Sequence, residues 1–539
     1  MKLKVICGIH LAVAVSLLAV CAVNAADRIW DGGAVGDWDV AANWSVNTKP
    51  IAGDTAIIRT DGATVTVDSS EICYRALVSY DGADSGIKVT TGGALTIENS
   101  FRIGKANDYD ENDRTYTEGT LTMDGGTITT IGGADLQIGK YGGVNGAHGY
   151  FNHSAGTVTT KNVYVGAYAD GTYNISGTAA LNVDSGVGEL GIGYGGVYWK
   201  GNQRGTAGIM TQSGSSSVDT HGLRLGRGWD DGSTGIYNME GGTLNAGYLY
   251  MGILDSTRGN GAGGVADTPS VGVMNQSGGT VTVGAVDGIY LGVDSYAGSS
   301  GTYNYTGGTL TDGTNDMPLV VRFSAGSVGT FRGRGTVDFS GLLRNNGQVI
   351  ADGGVLDLTG FTSVTNNDAF GTQQGDGSYA GWYAVNGGRL DLPGITVSSN
   401  GSYNCGEAAG DVTNDLVNSV QMTFSGVMGT GTFSMAVLDP TNSVSAPPSD
   451  DWTVCLGIWD VTNSGFTFES VDASFCYDTV PLGDLPEGAL RLYQYIDAEW
   501  VQVTTTVDAD NNRALVAGID SLSPFAVAWR PLPFLFIVQ

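Results

Sequence analysis

The chain predicts an all-β protein: a parallel β-solenoid with an N-terminal cap and a small C-terminal β-sandwich-like domain. Three observations predict it. A ten-residue phrase recurs seven times through the middle of the sequence. Glycine makes up 86 of 539 residues while proline is only 12, which excludes collagen and marks frequent turns. Apolar residues alternate over short runs bounded by Gly, Asp or Asn, as in Thr64-Val65-Thr66-Val67 and Leu356-Asp357-Leu358, and helical periodicity is hard to find.

The best copies of the phrase are GTYNYTGGTL (Gly301 to Leu310), GIYNMEGGTL (Gly235 to Leu244) and GVMNQSGGTV (Gly272 to Val281). The others start at Gly119, Gly149, Gly171 and Gly208, so starts are 30, 22, 37, 27, 37 and 29 residues apart. A period of this length belongs to stacked coils. A second phrase, apolar-x-apolar-Gly, interleaves with the first: Phe101 to Gly104, Leu136 to Gly139, Val163 to Gly166, Leu190 to Gly193, Leu223 to Gly226, Leu249 to Gly252 and Ile289 to Gly292. Each coil is thus three short strands and three turns. A lone coil cannot bury its inner face, and stacking pairs each strand with its equivalents above and below.

Aligned positions assign roles. The third position, Leu121, Phe151, Tyr173, Met210, Tyr237, Met274 and Tyr303, is a large apolar column expected to point inward. The fourth is Asn152, Asn174, Asn238, Asn275 and Asn304, with Thr122 and Thr211 in the other copies. Stacked amides can hydrogen-bond along the axis, and this ladder is expected to be internal. The paired glycines suit a corner with positive φ. Worn repeats flank the clear ones, so residues 55–395 are expected to form roughly a dozen coils, a stack about 50–60 Å long.

The ends read differently. Residues 1–25 read as a secretion signal: Lys2 and Lys4, an apolar stretch from Val5 to Val23, then Val23-Asn24-Ala25 as a cleavage site. Leu18 to Cys21 offers a rival lipobox with a poor residue before the cysteine. Residues 26–54 carry Trp30, Trp38 and Trp44, either a cap on the open end of the stack or a glycan-stacking platform; the cap reading is preferred because repeat stacks need one. Residues 396–450 read as an irregular connection and linker, with Ser445 to Ser449 as the linker proper. Residues 451–539 read as the sandwich, with Pro531 to Gln539 either packing as a last strand, the preferred reading, or left as a remnant.

Loss of Lys2 and Lys4 with the signal moves the net charge from −29 to −31. That acidity argues against nucleic acid and against charge-driven binding to anionic lipid. No later stretch is apolar for long enough to span a bilayer as a helix. Of the cysteines that remain, Cys73, Cys405, Cys455 and Cys476, the last two could bridge neighbouring strands or stay as free, buried thiols.

The Trp-Asp-Gly-Gly…Trp…Asn-Trp-Ser opening and the G-x-Y-N-x-S-G-G-T-L repeats resemble exported bacterial β-solenoids of the autotransporter-associated β-strand repeat or pectate-lyase-like type. The closing Ser521 to Ala528 is similar to the last strand of the sandwich found at their C-termini. The resemblance covers residues 27–395 and, more loosely, the tail. It implies a right-handed parallel β-helix on or outside the cell. The tail is too short and does not alternate as successive strands of an autotransporter barrel would.

Chemistry is sparse. The Asn-x-Asp, Asp-Asp, Gly-His-Gly, Arg-x-Lys set of β-helical polygalacturonases is matched only by Asn182-Val-Asp184 and Asp230-Asp231, with His221 out of order and no lysine after Lys200. The best acid–base cluster for a lyase is Arg224 and Arg227 with Asp230 and Asp231; its bland alternative is a solvated outer face. Tyr168, Tyr194, Trp199 and Trp229 are the candidates for stacking on a glycan. Asp108, Asp110, Asn112 and Asp113 crowd acidic oxygens into one loop and could hold Ca²⁺, the one cofactor the residues suggest, although the sixth-position glycine of an EF-hand loop is missing. His148 and His153 make a weak zinc pair.

The reading that follows is a secreted or cell-surface structural or adhesive rod, non-catalytic, whose partners are extracellular polysaccharide or other envelope components. The alternatives are a carbohydrate-binding protein and a polysaccharide lyase or glycoside hydrolase.

Overall fold

The computed structural model describes residues 25–80, 83–105, 117–140, 147–195, 206–228, 232–254, 269–284, 286–293, 298–322, 326–365, 382–405, 418–440, 454–477, 482–483 and 485–529. The expected signal segment, apart from Ala25, the expected Ser445–Ser449 linker and the Pro531–Gln539 tail lie outside the described residues. The protein is all-β: strands dominate, no α-helix is present among the described residues, and short 3-10 turns occur at Ala41–Asn43, Ser45–Asn47 and Glu487–Ala489. No helix of the described residues is long and apolar enough to cross a membrane.

Through the repeats the strands pair in parallel, copy on copy. Gly119 pairs with Gly149, Gly149 with Gly171, and the register continues through Gly208, Gly235, Gly272 and Gly301 to Gly329. The spacing of the phrase is thus the register of the strands, with a bulge at His153–Thr157 where the Gly149 copy meets the Gly119 copy. Three ladders result. The first carries the decapeptide strands and runs from Val35–Asp37 to Trp382–Asn386. The second carries the Thr-Leu strands and ends at Arg389–Asp391. The third carries the apolar-x-apolar-Gly strands from Asp27–Ile29 to Ser363–Thr365.

Strand alternation sends every third-position side chain inward, and all seven are fully buried. It also corrects the expected place of the amide ladder. The fourth position is one residue on, so it faces out: Asn152 and Asn174 are exposed, and Asn238, Asn275 and Asn304 are half-buried. The ladder itself forms. Asn174 donates to Asn152 at 3.0 Å, Asn275 to Asn238 at 2.8 Å, and Asn304 to Asn275 at 2.7 Å.

The inner polar ladder sits at the fifth position instead. Gln212 Oε1 accepts from the Tyr237 hydroxyl of the next parallel strand at 2.5 Å, and its Nε2 donates to the Ser216 and Thr243 carbonyls. Gln276 accepts from Tyr303 at 2.6 Å and donates to Thr309 O. His153 repeats the arrangement: Nδ1 takes the Tyr173 hydroxyl at 3.0 Å and Nε2 donates to Gly156 O at 3.1 Å. A neutral imidazole has the same acceptor-and-donor pair as a primary amide, so His153 stands in for glutamine. From Gly149 on, copies of the phrase thus alternate, one with Gln or His at position five and the next with Tyr at position three.

The three tryptophans of the N-terminal segment are fully buried and pack edge to face, Trp30 on Trp44 at 5.2 Å and Trp38 on Trp44 at 4.9 Å. Burial leaves none of the three rings open as a stacking platform. Buried Asp54 ties that cap down by accepting from Ala26 N and Arg28 Nε.

At the other end, residues expected to be an irregular connection carry strands Ile395–Val397, Gly401–Cys405, Val420–Ser425 and Met428–Leu438. These pair antiparallel with partners far along the chain, so no local repeat marks them. Together with later strands they make two antiparallel sheets around Trp459, Phe475 and Phe525. Cys455 pairs with Ala528 in one sheet and Cys476 with Arg513 in the other. Neither is bridged, and none of the four described cysteines is in a disulfide. The two cysteines therefore lie in different sheets and not on neighbouring strands of one. Burial pushes the Cys455 thiol up to about 12.

Candidate functional site

The outward residue of the third ladder is the x of apolar-x-apolar-Gly. In coil order it is Arg102, Gln137, Tyr164, Gly191, Arg224, Tyr250 and Tyr290. Side chains in such a column sit one strand spacing apart, about 4.8 Å. Cations and phenols are therefore forced together on this face.

At its centre Glu189 lies between two guanidiniums. Arg224 Nε is 2.6 Å from its carboxylate, too poorly aligned for a hydrogen bond, and Arg227 Nη1 reaches both oxygens at 3.3 and 3.4 Å. Arg227 also donates to the Tyr194 hydroxyl at 3.2 Å and lies over that ring. Arg224 lies over Tyr248 and Tyr250 at 5.5 and 6.0 Å, in the range of a cation–π contact. Gly191 makes room for this packing: a Cβ there would meet the Tyr194 ring at 2.7 Å and the Tyr164 ring at 3.0 Å. One coil pair further, Asp287 accepts from the hydroxyls of Tyr250 at 2.8 Å and Tyr290 at 2.7 Å.

Burial holds the Tyr164, Tyr194, Tyr250 and Tyr290 hydroxyls above the usual phenol range, and Asp287 adds to the effect on the last two. These phenols are donors at any physiological pH. The Glu189 charge is shared by two arginines, and Asp287 is held by two phenols. The arrangement is a set of charges and donors closed on itself, suited to rigidity and to hydrogen bonding from its rim.

Of the candidates read from sequence, Arg224 and Arg227 are brought together, but by Glu189. Asp230 and Asp231 lie outside the described residues, as do Trp199, Trp229, Asp108, Asp110, Asn112 and Asp113. Tyr194 belongs to the cluster and is only 9% exposed, so its ring is not an open platform. The Tyr168 ring carries Lys140 Nζ at 4.1 Å on one side. Among the described residues no group of three His, Cys, Asp or Glu side chains could hold a metal ion.

His148 and His153 do not pair. They are five apart on one strand and face opposite sides. His148 stacks on Tyr150 and bonds Thr172, and His153 is inside. Asp184 of the Asn-x-Asp match accepts from Gly186 N in a turn.

Glu189, Tyr164, Tyr248, Tyr250, Asp287 and Tyr290 were not picked out from the sequence. The signal was present for half of them, since Tyr164, Tyr250 and Tyr290 occupy the same x position as Arg224. No protein-family model matches the chain, and no curated protein matches it.

Proposed function

We propose that the chain is an exported, non-catalytic rod of the cell surface or extracellular matrix, built as a right-handed β-solenoid and presenting its corners and outer faces to envelope polysaccharide. The parallel ladders, stepping one coil at a time, support the solenoid reading, and parallel crossovers are right-handed in nearly all sheets. The observation that carries the non-catalytic reading is the closure of the Arg224 cluster. Its carboxylates are already engaged by arginines and phenols, whereas a lyase or hydrolase needs an acid and a base free to exchange protons with substrate.

The test pairs two measurements on the full chain. Antibody should label intact cells, and the purified protein should release no reducing ends or unsaturated products from acidic or neutral polysaccharides. Turnover that vanishes in Glu189→Gln or Arg224→Ala would replace this reading with the enzyme.

A carbohydrate-binding role is the second reading, favoured by the half-buried Tyr164, Tyr250 and Tyr290 along one face. A glycan array without hits would remove it.

A further inference from the structure

The second ladder turns outward a surface that neither the Arg224 cluster nor the ends of the stack use. Its strands pair without a register shift from Thr157 to Thr311. In each strand the middle residue, from Leu95 to Leu310, points in and is buried, so the residues on either side of it point out. Over the eight coils from Ala94 to Thr311, ten of these sixteen outward residues are threonine. Thr127 and Thr129 lie against Thr157 and Thr159, and Thr280 and Thr282 against Thr309 and Thr311. All sixteen are exposed or half-buried. The one charge among them is Asp219, to which Asn245 donates at 2.7 Å. In a chain with 54 acidic residues, such neutrality is particular to this face.

The face is also unbroken. The long connections of the stack, Lys105 to Thr117, Lys140 to Ala147, Tyr194 to Ala207 and Leu254 to Val271, all run from the third ladder to the first. Over these coils the connections into and out of the second ladder have seven residues or fewer. Neighbours in a column stand one strand spacing apart, about 4.8 Å, and the two columns are two residues apart, about 6.6 Å. Threonine is stiff at χ1, so its hydroxyl and methyl are held at those repeats before anything binds. Of the ten threonines only Thr311 donates a side-chain hydrogen bond among the described residues, to Asp338 at 3.3 Å. The other nine hydroxyls are left to whatever lies outside.

We infer that this face binds ice. A crystalline water surface needs what the second ladder supplies, a plane of hydroxyls and methyls that repeats in two directions. Both repeats are close to the oxygen spacings on the prism face of hexagonal ice, so successive hydroxyls take the places of successive lattice oxygens. The methyls between them shed their own hydration on contact. Each contact is weak, but the array adds them over eight coils, and little entropy is lost because backbone and rotamers are already fixed. Other ligands fit less well. A saccharide finds no aromatic ring among the sixteen positions, and a folded protein finds no Trp, Tyr or Arg anchor. An extended peptide finds no open edge, since the strands are paired on both sides. The inference requires neither export nor the surface-rod reading.

The experiment cools the purified full chain around a seed ice crystal and records thermal hysteresis and crystal shape. Fluorescently labelled chain is also frozen slowly onto a single ice crystal, to show which planes it coats. The expected result is a faceted seed that stops growing below its melting point, and a label confined to prism planes. Thr282→Tyr and, on a separate coil, Thr159→Tyr raise a ring above the plane. Each should remove most of the hysteresis while leaving the melting temperature of the protein unchanged. Thr302→Tyr, on the outer face of the first ladder, should leave the hysteresis whole. A seed that grows as it does in serum albumin, a label on no plane, or full hysteresis in both folded second-ladder variants overturns the inference. Labelling of intact cells by antibody is untouched by any of these results, so the surface-rod reading stands or falls separately.

Discussion

His153 is the one basic group among the described residues of the inner polar ladder, where it stacks with Gln and Tyr residues. Burial lowers its pKa from 6.5 to about 4, so the folded protein holds the neutral ring. The stability this contributes is whole above pH 6.5 and is lost as pH falls towards about 4, since the unfolded chain takes up the proton first. The loss amounts to at most about 3 kcal/mol. His153→Gln should keep both hydrogen bonds and flatten that acid limb. Melting temperatures measured from pH 7 to pH 4 check this, and an unaltered acid limb in the variant would place the sensitivity elsewhere. The outer amide ladder makes a graded prediction. Asn275 both donates and accepts within its column while exposed Asn152 only accepts. Asn275→Leu should cost about 1–2 kcal/mol and Asn152→Leu less than about 1 kcal/mol, because a solvated amide finds water when its partner goes. Equal losses in denaturant melts would contradict the half-buried and exposed placements.

The strand-closing glycine shows why the ladders were so legible. Gly139 and Gly226 have φ of 74° and 64°, and a Cβ would lie 2.0 Å from Asp170 O and 2.1 Å from Val271 O of a neighbouring coil. Both the backbone angle and the close approach favour glycine, so the residue closes all seven copies of the apolar-x-apolar-Gly phrase and reports the period directly, while Ser79 and Arg322 hold the same left-handed φ in the flanking layers. Gly226→Ala should therefore destabilise by more than the 1–3 kcal/mol of a strained φ alone. It should do so by far more than Gly33→Ala, where φ is also positive but a Cβ meets nothing. Comparable melting temperatures for the two variants would show that the coils can slide apart. What escaped the sequence has the opposite character. Whether position four or five of the phrase faced inward followed from alternation off the buried third position, yet the asparagines drew the eye because they repeat, and the mixed Gln, His and Met at position five did not. Glu189 was hidden because its partners are 35 and 38 residues on, joined only through the register.

At the scale of the molecule, the question is how a stack of parallel strands ends without offering its edge to another copy. An open edge of paired, flat strands invites association. At the start, Trp30, Trp38 and Trp44 fill the last layer of core and Trp30 bridges to Trp44 across the opening. At the far end, Met428–Leu438 of the sandwich runs antiparallel along Arg389–Asp391 and turns the second ladder into a sheet of the next domain. Ala436 pairs with Asp391 on one side and Asp460 on the other, and Arg389 locks the junction by pairing with both Asp391 and Asp460 at 2.5 and 3.0 Å. These antiparallel strands thus cover the end of the second ladder. A chain ending at residue 392 should expose that ladder edge together with Leu390 and Leu392, both now buried, and should form oligomers or aggregates where the full chain does not. Light scattering on freshly purified protein measures this. A monomeric truncated chain with an unchanged melting temperature would mean that the stack closes its own end and that the sandwich is attached for another purpose.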